Sequence, residues 1–190
     1  MLLSIVVTLL VASISTASGT KCTNFDFIVC AFLVDGEKTS TSGFAETEED
    51  LDLQCNQTIP VLKCLSDFGS RCPDSIFKHL TDFFQTEYDT QKKICTKNDE
   101  LRQRYLKFAK CLNLNRVKME EKCGLLIEVE GSEKFNKEHC KQYENSFQCS
   151  YTEIQNSCGK DALTLEMELL KPAHDFMELS CKDFQDLHDF

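Results

Sequence analysis

The chain contains no tryptophan, and only seven glycines and three prolines among its 190 residues. So few turn-forming residues argue against an all-β protein, which needs many tight turns. No segment shows the period-two alternation of a half-buried strand. Basic residues are also in deficit, with 21 Lys and Arg against 31 Asp and Glu, a formal net charge of −10. Such a chain repels phosphate backbones and anionic headgroups, so neither a nucleic-acid partner nor a lipid surface is expected. No apolar run reaches the roughly 20 residues that span a bilayer. The cysteines never stand closer than the C-x7-C of Cys22 and Cys30 or of Cys64 and Cys72, so the close pairs of a zinc site are missing. Neither H-E-x-x-H nor G-x-S-x-G occurs among these residues. Asp67-Phe68-Gly69 spells a kinase tripeptide without the glycine-rich or catalytic loop that gives it meaning. His174-Asp175 lacks the adjacent cysteines of the secreted phospholipase motif, and His79, His139 and His188 stand apart from it. No catalytic residue, cofactor or metal site is expected.

What is present begins with an address. Residues 2–14, LLSIVVTLLVASI, are almost wholly apolar and give way to the small, polar STASG. Ala17 and Gly19 suit the small-residue positions before a signal-peptidase cut. Residues 1–19 therefore read as a secretory signal peptide, with Thr20 or Ser18 as the first mature residue. In an oxidising compartment twelve cysteines, an even number and three to four times ordinary usage, read as six disulfides.

The cysteines also carry a repeat. Cys55, Cys64, Cys72 and Cys95 are separated by 9, 8 and 23 residues, and Cys140, Cys149, Cys158 and Cys181 by 9, 9 and 23. Each run is preceded by two more, Cys22 and Cys30 in the first and Cys111 and Cys123 in the second. The chain thus divides into two six-cysteine units, 20–104 and 105–190, with no Pro/Gly/Ser-rich linker between them. Between cysteines the pattern is helical. Pro60 suits a first helical turn, and Val61, Cys64, Leu65, Phe68 and Cys72 then form one face at period 3.6. Asp74 or Ser75 can cap the next helix, carrying Ile76, Leu80, Phe83, Phe84 and Tyr88, and Asn98 or Asp99 another, with Leu101, Tyr105, Phe108 and Leu112. Residues 117–129 read as helix past Gly124. Ser132 can open a helix that stops at Gly159, and residues 161–181 form the last one, kinked at Pro172. Residues 36–47, GEKTSTSGFAET, read as a flexible loop. The fold class is all-α, a disulfide-rich helical bundle built from two similar six-cysteine units.

Two segments carry a resemblance. Residues 55–75, CNQTIPVLKCLSDFGSRCPDS, resemble the cysteine-helix unit of the arthropod 27 kDa haemolymph glycoproteins, and residues 140–158, CKQYENSFQCSYTEIQNSC, resemble a second copy of it. The cysteine framework is also similar to that of a nematode secreted helical domain family. Both resemblances imply a secreted, disulfide-bonded, mostly helical protein without established catalytic activity.

Helical geometry restricts the pairing. Twenty-three residues of straight helix span about 34 Å, whereas bridged Cα atoms lie within roughly 7 Å. Cys72 should therefore not join Cys95, nor Cys158 join Cys181. Three helices running up, down and up give Cys22–Cys72, Cys30–Cys64 and Cys55–Cys95 in the first half. Order-matching gives Cys111–Cys158, Cys123–Cys149 and Cys140–Cys181 in the second. There the spacing of 12 between Cys111 and Cys123 faces one of 9, so that helix must begin after Cys111 or tilt.

Three features remain. Asn56-Gln57-Thr58 is an N-x-[ST] sequon, placed beside a helix break at Pro60, and marks Asn56 for glycosylation. The acidic run Glu46, Glu48, Glu49, Asp50 and Asp52 lacks the spacing of a calcium loop and reads as a solvated first helical turn. Phenylalanine is abundant, 14 against four tyrosines. Phe25, Phe27, Phe32, Phe83 and Phe84 fit an ordinary core or a cavity between helices for a small hydrophobic ligand. The expected role is a non-catalytic extracellular protein that binds a protein partner, with a carrier of small hydrophobic ligands as the alternative.

Overall fold

The computed structural model describes residues 30, 43–71, 78–124 and 137–186. Among these residues there are five α-helices and no strand: α1 Glu48–Arg71, α2 Lys78–Cys95, α3 Glu100–Cys123, α4 Lys137–Cys158 and α5 Lys160–Asp186. The all-α, disulfide-rich class is thus what the chain adopts. Several expectations lie outside the described residues: the signal peptide over 1–19, Phe25, Phe27 and Phe32, the loop as far as 42, the Cys22–Cys72 bridge, the capping residues Asp74 and Ser75, the stretch 125–129, Ser132 and His188.

The chain divides into two compact units, Met1–Gln103 and Arg104–Phe190. In the first, α1 packs along α2. Val61, Leu62, Leu65 and Phe68 of α1 and Leu80, Phe83, Phe84 and Ile94 of α2 are buried. The helices approach closely at Gly69, where an added Cβ would lie 2.9 Å from the backbone Cα of Thr81. Thr81 Oγ1 donates to the Gly69 carbonyl at 3.1 Å, and Ser66 Oγ donates to Gln85 Oε1 at 2.6 Å. The Phe83 and Phe84 rings belong to this core, their centroids 5.2 Å apart. In the second unit α4 packs along α5. Its buried residues include Phe147 and Ile154 from α4, and Ala162, Leu165, Leu170, Ala173 and Met177 from α5.

Five bridges occur among the described residues, four of them joining two of these helices. Cys30–Cys64 and Cys55–Cys95 lie in the first unit, and Cys111–Cys158, Cys123–Cys149 and Cys140–Cys181 in the second. Their Cα atoms are 5.5 to 5.9 Å apart. These are the pairs expected from rung geometry wherever both cysteines are described, and each stays within one unit. No free cysteine occurs among the described residues.

Two helix boundaries differ from the sequence reading. Pro60 does not open a helix: α1 begins twelve residues earlier, at Glu48, and runs through it. Thr47 provides the true start, its Oγ1 accepting from the Asp50 N–H at 3.1 Å and donating to the Asp50 carboxylate at 2.7 Å. Pro60 is exposed, and the packed residues on either side of it hold the helix at the loss of one backbone bond. The helix expected to pass Gly124 instead stops at Cys123. Gly124 takes a left-handed φ of +77°, and its N–H donates to the Glu120 carbonyl at 3.0 Å, closing the last turn. Gly159 ends α4 in the same way at φ +87°. Of the two capping candidates for α3, Asp99 does the work: its Oδ1 accepts from the Leu101 N–H at 2.8 Å, while Asn98 takes the left-handed φ of +69°.

Candidate functional site

Most of the sequence-marked polar residues serve the fold. The acidic run opens α1 as expected, with Glu48, Glu49 and Asp50 in its first turn. Two of its members have a further task that the sequence did not reveal. Arg102, near the start of α3, is almost fully buried. Its Nε donates to Glu48 Oε2 at 2.8 Å, its Nη2 to Asp52 Oδ1 at 2.7 Å and also to Glu48, and its Nη1 to the Ile94 carbonyl at 3.3 Å. Burial opposes the guanidinium charge, and the two carboxylates outweigh that and hold its pKa above the usual arginine value. The hydrogen bond from Arg102 holds the Asp52 pKa below the usual carboxylate range.

A second cluster lies between α4 and α5. Tyr143, Phe147 and Tyr151 succeed one another at i, i+4 and i+8 along α4, so they share one face. The Phe147 ring lies 5.3 Å from that of Tyr143 and 4.4 Å from that of Tyr151. His174 of α5 lies flat on Phe147, with centroids 4.8 Å apart and planes 5° from parallel. Its neighbour Asp175 pairs with Lys171 at 2.5 Å. His174 thus packs on the aromatic face of α4 while Asp175 faces Lys171. Glu166 of α5 is 7% exposed, and its Oε2 has no hydrogen-bond partner. Burial pushes its carboxyl up to about 7. Burial, reinforced by Glu166, also raises the Tyr151 phenol. The Tyr143 hydroxyl is buried, raised by burial, and equally unpartnered.

The third feature is the outer face of α3. At about 100° per residue, Leu114 stands about 180° from Cys123 and about 60° from Cys111, and Val117 about 120° from each of these cysteines, which bridge α3 to α4. They are 68% and 62% exposed, the highest values among large apolar residues of the described chain. Lys107, Lys110, Lys118 and Glu121 surround them and are also exposed. Other bases of the same helix are already engaged: Arg104 with Glu168 at 2.7 Å, Arg116 with Glu120 at 2.9 Å and Lys122 with Glu153 at 2.5 Å. Two bridges and the Arg104–Glu168 pair thus fix this stretch of helix against α4 and α5.

Asn56 is exposed on α1, within the helix and not beside a break, four residues before Pro60. The missing Pro60 N–H would have bonded the Asn56 carbonyl, so the backbone is loosened at the sequon itself. His139 is buried and His79 falls on α2. Open surface grooves occur among the described residues. One is lined by Lys122, Gly124, Glu138, Gln142, Asn145 and Ser146, another by Pro60, Lys63, Asp67 and Ser70. No group of His, Cys, Asp or Glu is placed to hold a metal ion among the described residues, and no described helix is long and apolar enough to cross a membrane. Comparison with protein-family models, curated proteins and solved structures finds no match to this chain.

Proposed function

We propose that this protein is a secreted, non-catalytic interaction glycoprotein of an extracellular or body fluid, and that it binds a protein partner through a rigid helical face. The observation that carries the reading is the outer face of α3. Leu114 and Val117 stay in water on a segment that two disulfides hold in place. Exposed apolar side chains on a pre-ordered surface lose little conformational entropy on binding, which favours recognition. The five bridges among the described residues support the extracellular part, since such bridges persist in oxidising compartments. The apolar start of the chain and the exposed sequon at Asn56 support secretion and glycosylation. The likeness in cysteine spacing to the haemolymph glycoproteins points the same way.

Native mass spectrometry of the protein recovered from its secreted fluid tests the reading. The expected mass lacks residues 1–19 or a cut within two residues of that, carries a glycan that Asn56→Gln removes, and includes a species with a bound protein. A co-purifying lipid-sized mass would instead establish the carrier of small hydrophobic ligands.

A further inference from the structure

The proposal concerns the chemistry of the partner, and it rests on the interaction reading above. Helix α3 holds seven basic residues and three acidic ones, in a chain with 31 acids and 21 bases overall. One helix thus has a third of the bases and under a tenth of the acids. The surplus does not serve internal pairing alone. Arg102, Arg104, Arg116 and Lys122 reach carboxylates within the chain. Lys110 and Lys118 reach none among the described residues and are exposed, although the chain has acids to spare. Lys107 lies over the Phe108 ring, 4.8 Å from its centroid, with its side chain exposed beside them. These three lysines frame Leu114 and Val117.

We infer that the outer face of α3 docks an acidic amphipathic helix of another protein, with apolar residues meeting Leu114 and Val117 and carboxylates meeting Lys107, Lys110 and Lys118. Unlike charges around an apolar centre give such a contact its orientation and its on-rate. A bound helix places apolar side chains at i, i+3 and i+4, which matches the spacing of Leu114 and Val117. The remaining surface argues against two other occupants. An anionic membrane would face a molecule of net charge −10, and so would a second copy of the chain. A small isolated basic face can still take a short acidic helix, because screening over about 8 Å at physiological salt hides the distant acids.

The probe is a synthetic fluorescent peptide with a leucine stripe flanked by glutamates, compared by anisotropy with the same peptide carrying lysines for glutamates. The full secreted chain should bind the glutamate peptide at least about tenfold more tightly, and about 0.5 M salt should weaken that binding. Lys110→Glu with Lys118→Glu, and separately Leu114→Ser with Val117→Ser, should each cost about tenfold. The same charge change at the exposed Lys92 and Lys93 of α2 should cost little. All these positions are exposed, and unchanged helical circular dichroism verifies that the variants fold. Equal binding of both peptides, no binding, or an equal loss from the α2 variant overturns the inference. So does binding to phosphatidylserine vesicles, or a concentration-dependent dimer, that the Lys110/Lys118 variant abolishes while peptide binding is absent. A protein-bound species in native mass spectrometry together with failure of the peptide removes only this inference. A lipid-bound species removes the interaction reading beneath it.

Discussion

Glu166 sits on the apolar stripe of α5, four residues after Ala162 and four before Leu170, both buried. A carboxylate at such a position was visible in the sequence as a break in the stripe, and the sequence reading passed over it. Its consequence is a pH dependence of defined sign. The folded carboxyl titrates near 7 against an ordinary value of 4.5. Between those values the native state holds a proton that the unfolded chain has released. Stability therefore falls as pH rises from about 4.5 to about 7, and the full penalty, about 3 kcal/mol, persists above. Glu166→Gln mimics the protonated form. It is expected to gain about 1–3 kcal/mol at pH 8 and to change little at pH 4, as read by urea denaturation at the two pH values. A variant no more stable than the parent at pH 8 would contradict this. Arg102 is the opposite case. Its partners Glu48 and Asp52 lie 54 and 50 residues away, and no local pattern announces a contact of that range. Arg102→Met leaves the Ile94 carbonyl short of a donor and Glu48 and Asp52 free to take up water, since both are partly exposed. A loss of about 2–3 kcal/mol in urea titration is expected, below the range for severing a fully buried pair.

Individual helices divide into those that local chemistry specifies and those that packing decides. Gly159 and Asp99 were readable as stop and start because a left-handed φ and a side-chain cap are local requirements. Pro60 misled because its preference for a first turn is also local, whereas α1 is held through it by contacts with α2 and the Cys55–Cys95 bridge. The bridges were readable because a helix converts sequence spacing into distance along an axis, so that matched spacings on antiparallel neighbours become rungs. Gly69 was dismissed with its tripeptide, yet α1 and α2 approach closely there. Two effects compete in Gly69→Ala. Helix propensity favours alanine by about 1 kcal/mol. The new Cβ would meet the Thr81 Cα at 2.9 Å, and that backbone atom cannot rotate away. The clash should win, for a net loss of about 1–3 kcal/mol and a lower melting temperature. A gain would show that the helices are free to separate.

The composition of the molecule explains its dependence on oxidation. Chains of this size are stable by about 5–15 kcal/mol, and a bridge contributes roughly 2–4 kcal/mol. The five bridges among the described residues therefore contribute as much as the whole. Complete reduction is expected to abolish the cooperative melting transition and most of the helical circular dichroism at 37 °C, and an unchanged melt would show that the bridges are dispensable. The class and the two-unit cysteine framework could be read from composition and spacing, because they depend on the chain as a set of counts and intervals. The basic outer face of α3 could not, since a net charge of −10 conceals a local surplus of the other sign. All of these inferences depend on helices clamped as rungs within each unit. Peptide mapping of the unreduced protein tests that most directly. It should yield Cys30–Cys64, Cys55–Cys95, Cys111–Cys158, Cys123–Cys149 and Cys140–Cys181. A Cys72–Cys95 or Cys158–Cys181 peptide, or any bridge joining the first six cysteines to the last six, would contradict it.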